Sequence, residues 1–228
     1  MTAGARSQGT AAGPAEWRLR VELVETCRAM NGLGINRGTS GNVSVRLGEG
    51  FLVSPTGVPY DALRPEQVVR MGWDGGFAGD LLPSSEWRFH RDVLAARPDL
   101  EAVVHTHSVH ATALAIMGRG IPAIHYMIAA AGGPDIRCAP YATFGTQELA
   151  DAVLAAMDER RACLLAHHGV IAAGRTLARA LSLAVTVEEL AQQYLLCLPH
   201  GEPPVLDEAE IATVLDKFKT YGQQPAKQ

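Results

Sequence analysis

Hydrophobic and polar positions follow two different periods along the chain, and the two periods predict a mixture of helices and strands. Residues 17–31 carry apolar side chains at helical spacing, with charged residues on the opposite face, which predicts an amphipathic helix. Residues 31–42 contain too many glycines for a regular element and are predicted to form a loop. The alternating runs at 43–47 and 50–54 are separated by a glycine-rich turn, which is typical of a β-hairpin.

A second helix is predicted at 87–96. Ser84 and Ser85 are suitable capping residues, Glu86 places an acid in the first turn, and Pro98 marks the far end. The later segments predict, in chain order, a strand at 102–105, a helix at 111–117, a strand at 137–140, a helix at 149–157, a strand at 162–167 and a long helix at 177–198. Because no repeat or linker interrupts this order, we expect one α/β domain, preceded by a mobile stretch at 1–16.

Composition narrows the possible functions. The 228 residues are 47% hydrophobic, which is enough for a substantial core, and the formal net charge of -4 with scattered Lys and Arg argues against a nucleic-acid partner. No apolar stretch approaches a membrane span, and the N-terminus lacks the features of a signal peptide. The four cysteines form no Cys-x-x-Cys pair and are interpreted as reduced thiols. We therefore expect a soluble, cytoplasmic protein with no membrane partner.

Three histidines at the ends of predicted strands are candidate metal ligands. His105 and His107 are two positions apart, so on a strand both imidazoles would point to one side. Such a pair alone is as compatible with two surface histidines as with a metal site. A third histidine, from His167-His168-Gly169, would complete the three protein ligands that catalytic zinc sites use. His90 and the remaining histidines have no comparable setting, so an ordinary core or surface role is favoured for them.

Glu86 is the candidate general acid or base, although a carboxylate in the first turn of a helix is more often a partner of the helix dipole. Its neighbours change that balance. Ser84 and Ser85 offer hydroxyl and backbone donors at a helix N-terminus, which suits an anion. The glycine-containing segments 39–42 and 56–57 offer further donors for a phosphate, although ordinary turns explain most such glycines.

Five segments together resemble the class II aldolase/epimerase family. They are GTSGNVSVR at 38–46, PTGVPY at 55–60, LPSSEWRFH at 82–90, VVHTH at 103–107 and HHG at 167–169, and the segments 121–128, 139–146 and 217–222 are also similar. The resemblance runs over nearly the whole chain and implies one domain at 17–222, followed by a C-terminal tail at 223–228. It also implies a central, mainly antiparallel β-sheet flanked by helices.

The resemblance assigns roles to individual residues. It implies one Zn²⁺ per subunit held by His105, His107 and His168, with Glu86 as the catalytic carboxylate and a metal contact before substrate binds. The residues implied to bind the phosphate are Gly41, Asn42, Thr56, Gly57, Ser84 and Ser85. Tyr126 would reach a neighbouring subunit's site, Tyr221 would be a mobile C-terminal catalytic residue, and Phe144, with Phe218, would line the aldehyde side. The implied assembly is a homotetramer with active sites between subunits.

The reaction implied by the resemblance is reversible aldol cleavage of a sugar phosphate, L-fuculose 1-phosphate, to dihydroxyacetone phosphate and L-lactaldehyde. Other ketose 1-phosphates, namely L-ribulose 1-phosphate and 5-deoxy- or methylthio-pentulose 1-phosphates, are the nearest alternatives. A pentulose-phosphate 4-epimerase is less favoured, because the surroundings of Tyr126 and Tyr221 match the aldolases better. A non-catalytic binding module, like the head domain of adducin, is disfavoured because the full set of catalytic residue types is present.

Overall fold

The computed structural model describes residues 6–7 and 13–220 of the chain. Its helices are α1 (Pro14–Gly32), α2 (Trp87–Ala96), α3 (Val109–Ile116), α4 (Gln147–Ala156), α5 (Leu177–Cys197) and α6 (Glu208–Phe218). Its strands are β1 (Arg6–Ser7), β2 (Asn42–Arg46), β3 (Gly50–Val53), β4 (Val69–Gly72), β5 (Phe77–Ala78), β6 (Ala102–Thr106), β7 (Arg137–Ala139), β8 (Ala162–Leu165) and β9 (Gly169–Gly174). Short 3-10 helices lie at Pro65–Gln67, Tyr126–Ala131 and Leu198–His200.

The strands form one sheet in the order β1-β5-β4-β3-β2-β6-β9-β8-β7. Neighbouring strands are antiparallel except at the two edges, where β1 pairs with β5 and β7 pairs with β8 in parallel. The mainly antiparallel α/β fold that the family resemblance implied is therefore confirmed. Strand β6, which contains His105 and ends just before His107, and strand β9, which begins just after His168, are neighbours in the interior of the sheet.

Helices cover both faces of the sheet, and each strand divides its side chains between them. On β6, Val104 packs into a core with α1, α3 and α5, whereas the adjacent Val103 packs into a second core with α2 and α4. This alternation follows from the two-residue period of a strand. His105 lies on the same side as Val103, so the face covered by α2 is the one that carries the candidate chemistry.

Most predicted elements are present, and the differences have physical causes. The predicted hairpin is confirmed, with Val45 of β2 opposite Leu52 of β3. Helix α1 begins at Pro14 rather than at residue 17, because proline suits the first helical position and Glu16 forms a nearly buried ion pair with Arg20 at 2.6 Å. The rest of the predicted mobile stretch and the tail at 223–228 lie outside the fully described residues.

The sequence did not predict β1, which falls in the stretch expected to be mobile, nor β4, β5, β9 or α6. Strand β9 follows the candidate ligand His168 directly and pairs with both β6 and β8. Its sequence, GVIAAG, is short and rich in small residues, so its propensity signal is weak. The strand is nevertheless completely buried, because its place between two other central strands compensates for that weak propensity.

Candidate functional site

His105 and His107 converge at the end of β6, as their spacing predicted. Their Nε2 atoms lie 3.0 Å apart, and the Nδ1 atom of His105 is 3.0 Å from the carbonyl oxygen of Val170 on β9. A carbonyl oxygen can only accept, so Nδ1 of His105 carries the hydrogen and Nε2 presents its lone pair to the cluster. The central strand pairing thus fixes both the position and the tautomer of His105.

His168 approaches the same point from the turn between β8 and β9. The preceding residue, His167, has a left-handed backbone with φ of 55°, which turns the chain sharply before His168. The following residue, Gly169, has no room for a side chain, because a Cβ atom there would lie 2.5 Å from the carbonyl oxygen of Thr106. This close approach lets the turn bring His168 against the end of β6.

Glu86 occupies the N-cap position of α2, but its side chain does not cap the helix. The expected serine cap is wrong, because the hydroxyl of Ser84 accepts a hydrogen bond from the Glu86 amide instead, at 3.3 Å. The carboxylate faces the histidines: Oε2 is 3.3 Å from Nε2 of His105, and Oε1 is 3.2 Å from Nε2 of His168. Oε2 also accepts a hydrogen bond from the Asn42 amide at 2.9 Å.

Burial and mutual proximity set the protonation of this cluster. Burial lowers the pKa of His105 to about 3 and also lowers that of His107, so both rings are neutral near pH 7. Burial opposes ionisation of Glu86, but its interactions with His105 and His168 and the hydrogen bond from Asn42 outweigh that effect and lower its pKa to about 2. Neutral imidazoles beside an ionised carboxylate are the forms that bind a divalent cation.

The donor set fits a metal ion. One nitrogen from each of His105, His107 and His168 lies within 4.8 Å of the other two. The Oε1 atom of Glu86 is buried and, within the described residues, receives no hydrogen bond of good geometry. A buried carboxylate oxygen without a donor is costly, and a cation held by the neighbouring imidazoles would satisfy it. Nitrogen and carboxylate ligands in this number suit Zn²⁺.

A cavity of about 370 Å³ opens beside these side chains, and His107, His168 and Glu86 form part of its wall. Ser40 and Ser85 supply hydroxyl groups to the same wall. The exposed segment Thr56-Gly57 lies next to the start of α2, because the Thr56 amide donates to the carbonyl of Leu82 at 3.1 Å. Hydroxyl and backbone donors therefore gather near the N-terminus of α2, where an anionic group is favoured.

Gly41 and Asn42, both predicted for phosphate binding, lie against the histidine cluster. A Cβ atom on Gly41 would lie 2.5 Å from the carbonyl oxygen of His105, so the chain can pass there only without a side chain. The Asn42 side chain is buried, and its amide is already bonded to Glu86. The structure thus brings Gly41 against the backbone of His105, and Asn42 to the Glu86 carboxylate.

The aromatic residues predicted for the site do not all lie at the cavity. Phe144 lines the cavity and has 65% of its surface exposed. Tyr126 is outside the described wall of the cavity and is 49% exposed, with its ring 6.5 Å from that of Phe218. A single chain therefore does not bring Tyr126 to Glu86. Tyr221 lies outside the described residues, so its predicted role is not addressed by the structure.

Sequence reasoning assigned no site role to Tyr141 or His90. Tyr141 lines the cavity together with His167, the neighbour of the candidate ligand His168, and their ring centroids are 6.0 Å apart. His90, for which an ordinary core or surface role was favoured, is fully buried and contacts Asn42. The spacing of Glu86 and His90, four residues apart in one helix, is the signal that could have linked them.

Comparison with known proteins identifies the family. Residues 21–195 match the family described as class II aldolase and adducin N-terminal domain. The chain belongs to this family. In the part of the chain that the structure describes, no helix is both long enough and apolar enough to cross a bilayer.

The members of the class II aldolase family that are similar to this chain are named for different substrates. The chain is 56% identical over 204 residues to the 5-methylthioribulose-1-phosphate/5-deoxyribulose-1-phosphate aldolase of Rhodospirillum rubrum, covering 90% of this chain and 92% of that relative. It is 54% identical over 206 residues to the L-fuculose phosphate aldolase of Escherichia coli K12, covering 90% and 96%. A solved structure of an L-fuculose 1-phosphate aldolase superposes with a TM-score of 0.87 at 37% identity, covering 91% of this chain and 98% of that one.

Proposed function

We propose that this protein is a zinc-dependent aldolase that cleaves L-fuculose 1-phosphate reversibly to dihydroxyacetone phosphate and L-lactaldehyde. The observation that carries the proposal is the convergence of three histidines and Glu86 beside a cavity with hydroxyl-lined walls. The relatives named as aldolases, which align over 90% of the chain, support the reaction class.

His105 would hold the metal through its Nε2 atom, and His107 and His168 through one ring nitrogen each. When bound there, Zn²⁺ supplies Lewis-acid stabilisation of negative charge that develops on a substrate carbonyl oxygen. The protein's part is to keep these imidazoles neutral and aimed at one point. The hydrogen bond of His105 to Val170 supports this role, because it keeps the Nε2 lone pair free.

Glu86 would carry the proton in the reaction. In the synthetic direction its carboxylate removes a hydrogen from the carbon of dihydroxyacetone phosphate that attacks the aldehyde. In cleavage the carboxylic acid form of Glu86 gives its proton to that same carbon, and the proton that the substrate hydroxyl loses as the aldehyde forms restores the acid. Its burial beside the histidines supports the proposal, because a general base must lie next to the reacting carbon and be shielded from water.

The phosphate of the substrate would bind at the start of α2. Ser84, Ser85, Thr56 and Gly57 provide hydroxyl and backbone donors there, and the segment containing Gly41 and Asn42 borders them. The helix N-terminus favours a dianion by its dipole and its free amide groups. Phosphate at this end directs the carbonyl end of the substrate toward the histidines.

The remaining roles concern the aldehyde and the assembly. We propose that Phe144 packs against the aldehyde of its own chain's site. Tyr126, with Phe218 beside it, would reach the site of a neighbouring subunit, where Tyr126 donates a proton to the aldehyde oxygen. Tyr221 would help to close the site. The half-exposed ring of Tyr126 in a single chain supports a contact with another subunit. We further propose a cytoplasmic homotetramer.

A second candidate substrate is 5-methylthioribulose 1-phosphate or its 5-deoxy analogue. The observation that favours it is the 56% identity to a relative named for those substrates. All these ketose phosphates share the dihydroxyacetone phosphate half, so the same histidines and Glu86 would serve each of them. They differ at the end near Phe144, where a small apolar difference is worth about 1–3 kcal/mol of discrimination.

The test is release of dihydroxyacetone phosphate from each ester by the zinc-loaded protein, with and without a chelator. The esters are L-fuculose 1-phosphate, L-ribulose 1-phosphate, 5-deoxyribulose 1-phosphate and 5-methylthioribulose 1-phosphate. We expect chelator-sensitive cleavage with the highest kcat/KM for the fuculose ester. Preference for the methylthio or the deoxy ester would favour the second candidate substrate. No cleavage of any ester would refute the aldolase proposal.

A further inference from the structure

A chain of buried polar side chains leads from the second strand to the candidate catalytic carboxylate. The hydroxyl of Ser44 lies 2.7 Å from Nδ1 of His90, and Nε2 of His90 lies 2.5 Å from Oδ1 of Asn42. The Asn42 amide nitrogen then lies 2.9 Å from Oε2 of Glu86. Ser44 and His90 have no exposed surface, and Asn42 and Glu86 are almost fully buried.

The fold aligns these four residues in pairs. Asn42 and Ser44 are two positions apart on β2, so their side chains lie on one face of the sheet. Glu86 and His90 are four positions apart at the start of α2, so they lie on one side of that helix. Because α2 packs on that face, the two pairs alternate and form one continuous series of hydrogen bonds.

The carboxylate determines the direction of every hydrogen bond in the series. An ionised carboxylate has only acceptors, so the Asn42 amide must present its nitrogen to Glu86 and its oxygen to His90. That oxygen also only accepts, so Nε2 of His90 must carry the hydrogen. Burial lowers the pKa of His90 to about 3, so the ring is neutral and Nδ1 is an acceptor for the Ser44 hydroxyl.

We propose that His90 is a positioning residue that, through Asn42, holds the carboxylate of Glu86 in place for proton transfer. Within the described part of the chain, His90 is not among the residues that form the cavity wall, and its contact is with Asn42. Without the His90 hydrogen the Asn42 side chain could rotate and present its oxygen to the carboxylate, which is repulsive. This inference rests on the proposed function of Glu86 as the base.

Two conservative substitutions separate positioning from packing. His90→Gln can place its amide nitrogen near the position of Nε2, so it keeps a donor for Asn42. His90→Asn is shorter and reaches only the region of Nδ1, so it keeps a partner for Ser44 and loses the donor. Val93→Ala, one turn further along α2 in the same core, controls for a loss of packing that leaves the hydrogen bonds intact.

The kinetic test compares these three variants under zinc-loaded conditions. We expect His90→Asn to lower kcat about 10–100-fold with little change in KM, as for other residues that orient a ligand or catalytic group. His90→Gln should rescue most of that loss, and Val93→Ala should lower the melting temperature without the same fall in kcat. Equal kcat values for His90→Asn and His90→Gln would overturn the proposal.

A second measurement needs no substrate. In protein labelled with ¹⁵N-histidine, the imidazole signals absent from His90→Asn belong to His90, and long-range ¹H–¹⁵N correlation reports its tautomer. We expect hydrogen on Nε2. Hydrogen on Nδ1 would overturn the proposed direction of the series, whatever the substrate. If the wild-type protein cleaves none of the esters, the proposed function fails, and the tautomer still decides whether His90 holds Asn42.

Discussion

Asn42 and His105 lie directly opposite each other on the antiparallel strands β2 and β6. Opposed residues in such a pair point to the same face of the sheet. The strand pairing therefore brings the amide that contacts Glu86 next to the imidazole proposed as a metal ligand. The pairing of two neighbouring strands of the sheet thus positions both residues.

Replacing Glu86 with Gln should separate metal binding from turnover. Three histidines remain in Glu86→Gln, so we expect zinc to stay bound, while kcat falls about 10²–10⁴-fold because the base is lost. Zinc content by elemental analysis and dihydroxyacetone phosphate release would measure the two effects. Glu148→Gln, at an exposed acid in the first turn of α4, is the matched control. A nearly normal rate in Glu86→Gln would rule out its role as the base.

Replacing His168 with Ala should remove the metal. Only two imidazoles would then remain beside the Glu86 carboxylate, and we expect this weakened site to lose zinc on dialysis together with cleavage activity. The neighbouring His167 provides a control, because it is outside the cluster of three ligand nitrogens. His167→Asn should keep its zinc, since asparagine tolerates the left-handed backbone. Full zinc retention in His168→Ala would contradict the ligand assignment.

Replacing Gly41 with Ala should destabilise the fold. The new Cβ atom would lie 2.5 Å from a backbone oxygen of His105 and 2.8 Å from Oδ1 of Asn36, so the loop must move. We expect a loss of about 1–3 kcal/mol in the free energy of unfolding, measured with urea. Gly32→Ala, at the last residue of α1 with no atom within 4 Å, should be neutral or stabilising by up to about 1 kcal/mol. Equal effects would show that crowding at Gly41 is unimportant.

Glu188 should make stability depend on pH through its contacts with α3. Its carboxylate accepts hydrogen bonds from the backbone amides of His110 and Ala111, both at 2.9 Å. Burial opposes ionisation of Glu188, but the hydrogen bonds from the His110 and Ala111 amides outweigh it and lower its pKa. The stabilisation is therefore fully present above the pKa of an unfolded glutamate, about 4.3, and is lost as pH falls through the lower folded value.

The variant Glu188→Gln tests this contribution. At pH 7 we expect it to lower the free energy of unfolding by about 1.5–3 kcal/mol, the range for hydrogen bonds to charged groups. The difference from the wild-type protein should shrink as the pH is lowered below about 4, because the wild-type carboxylate is then protonated. Denaturant unfolding at several pH values would measure it. A difference that grows on acidification would contradict the assignment.

The sequence predicted site residues best where a reactive side chain stands at the end of a segment with clear strand or helix periodicity. His105 and His107 end an apolar run at strand spacing, and the serines before Glu86 mark a helix start, so these residues could be selected before the fold was known. The contact of His90 with Asn42 could not be predicted in the same way, because it depends on how α2 packs across β2. Strand β9 was missed because its order comes from its neighbours in the sheet rather than from its own propensity.

Two other differences between the sequence predictions and the structure also come from tertiary structure. The serine cap expected for α2 is absent because Glu86 takes the N-cap position and turns its carboxylate toward the histidines. A local rule of helix capping is thus overridden by tertiary contacts at the candidate site. The separation of Tyr126 from the cavity depends on the three-dimensional path of the chain, to which helix and strand periodicity contributes nothing.

The three candidate ligands come from two places that are distant in sequence, the end of β6 and the turn after β8. An ion bound to them would connect these two places across the sheet and stabilise the folded form, because only the folded chain brings the three imidazoles together. Removal of the ion is then expected to accelerate amide hydrogen exchange in β9, the strand that lies between them. The same histidines would thus link metal supply in the cell to the lifetime of the folded protein.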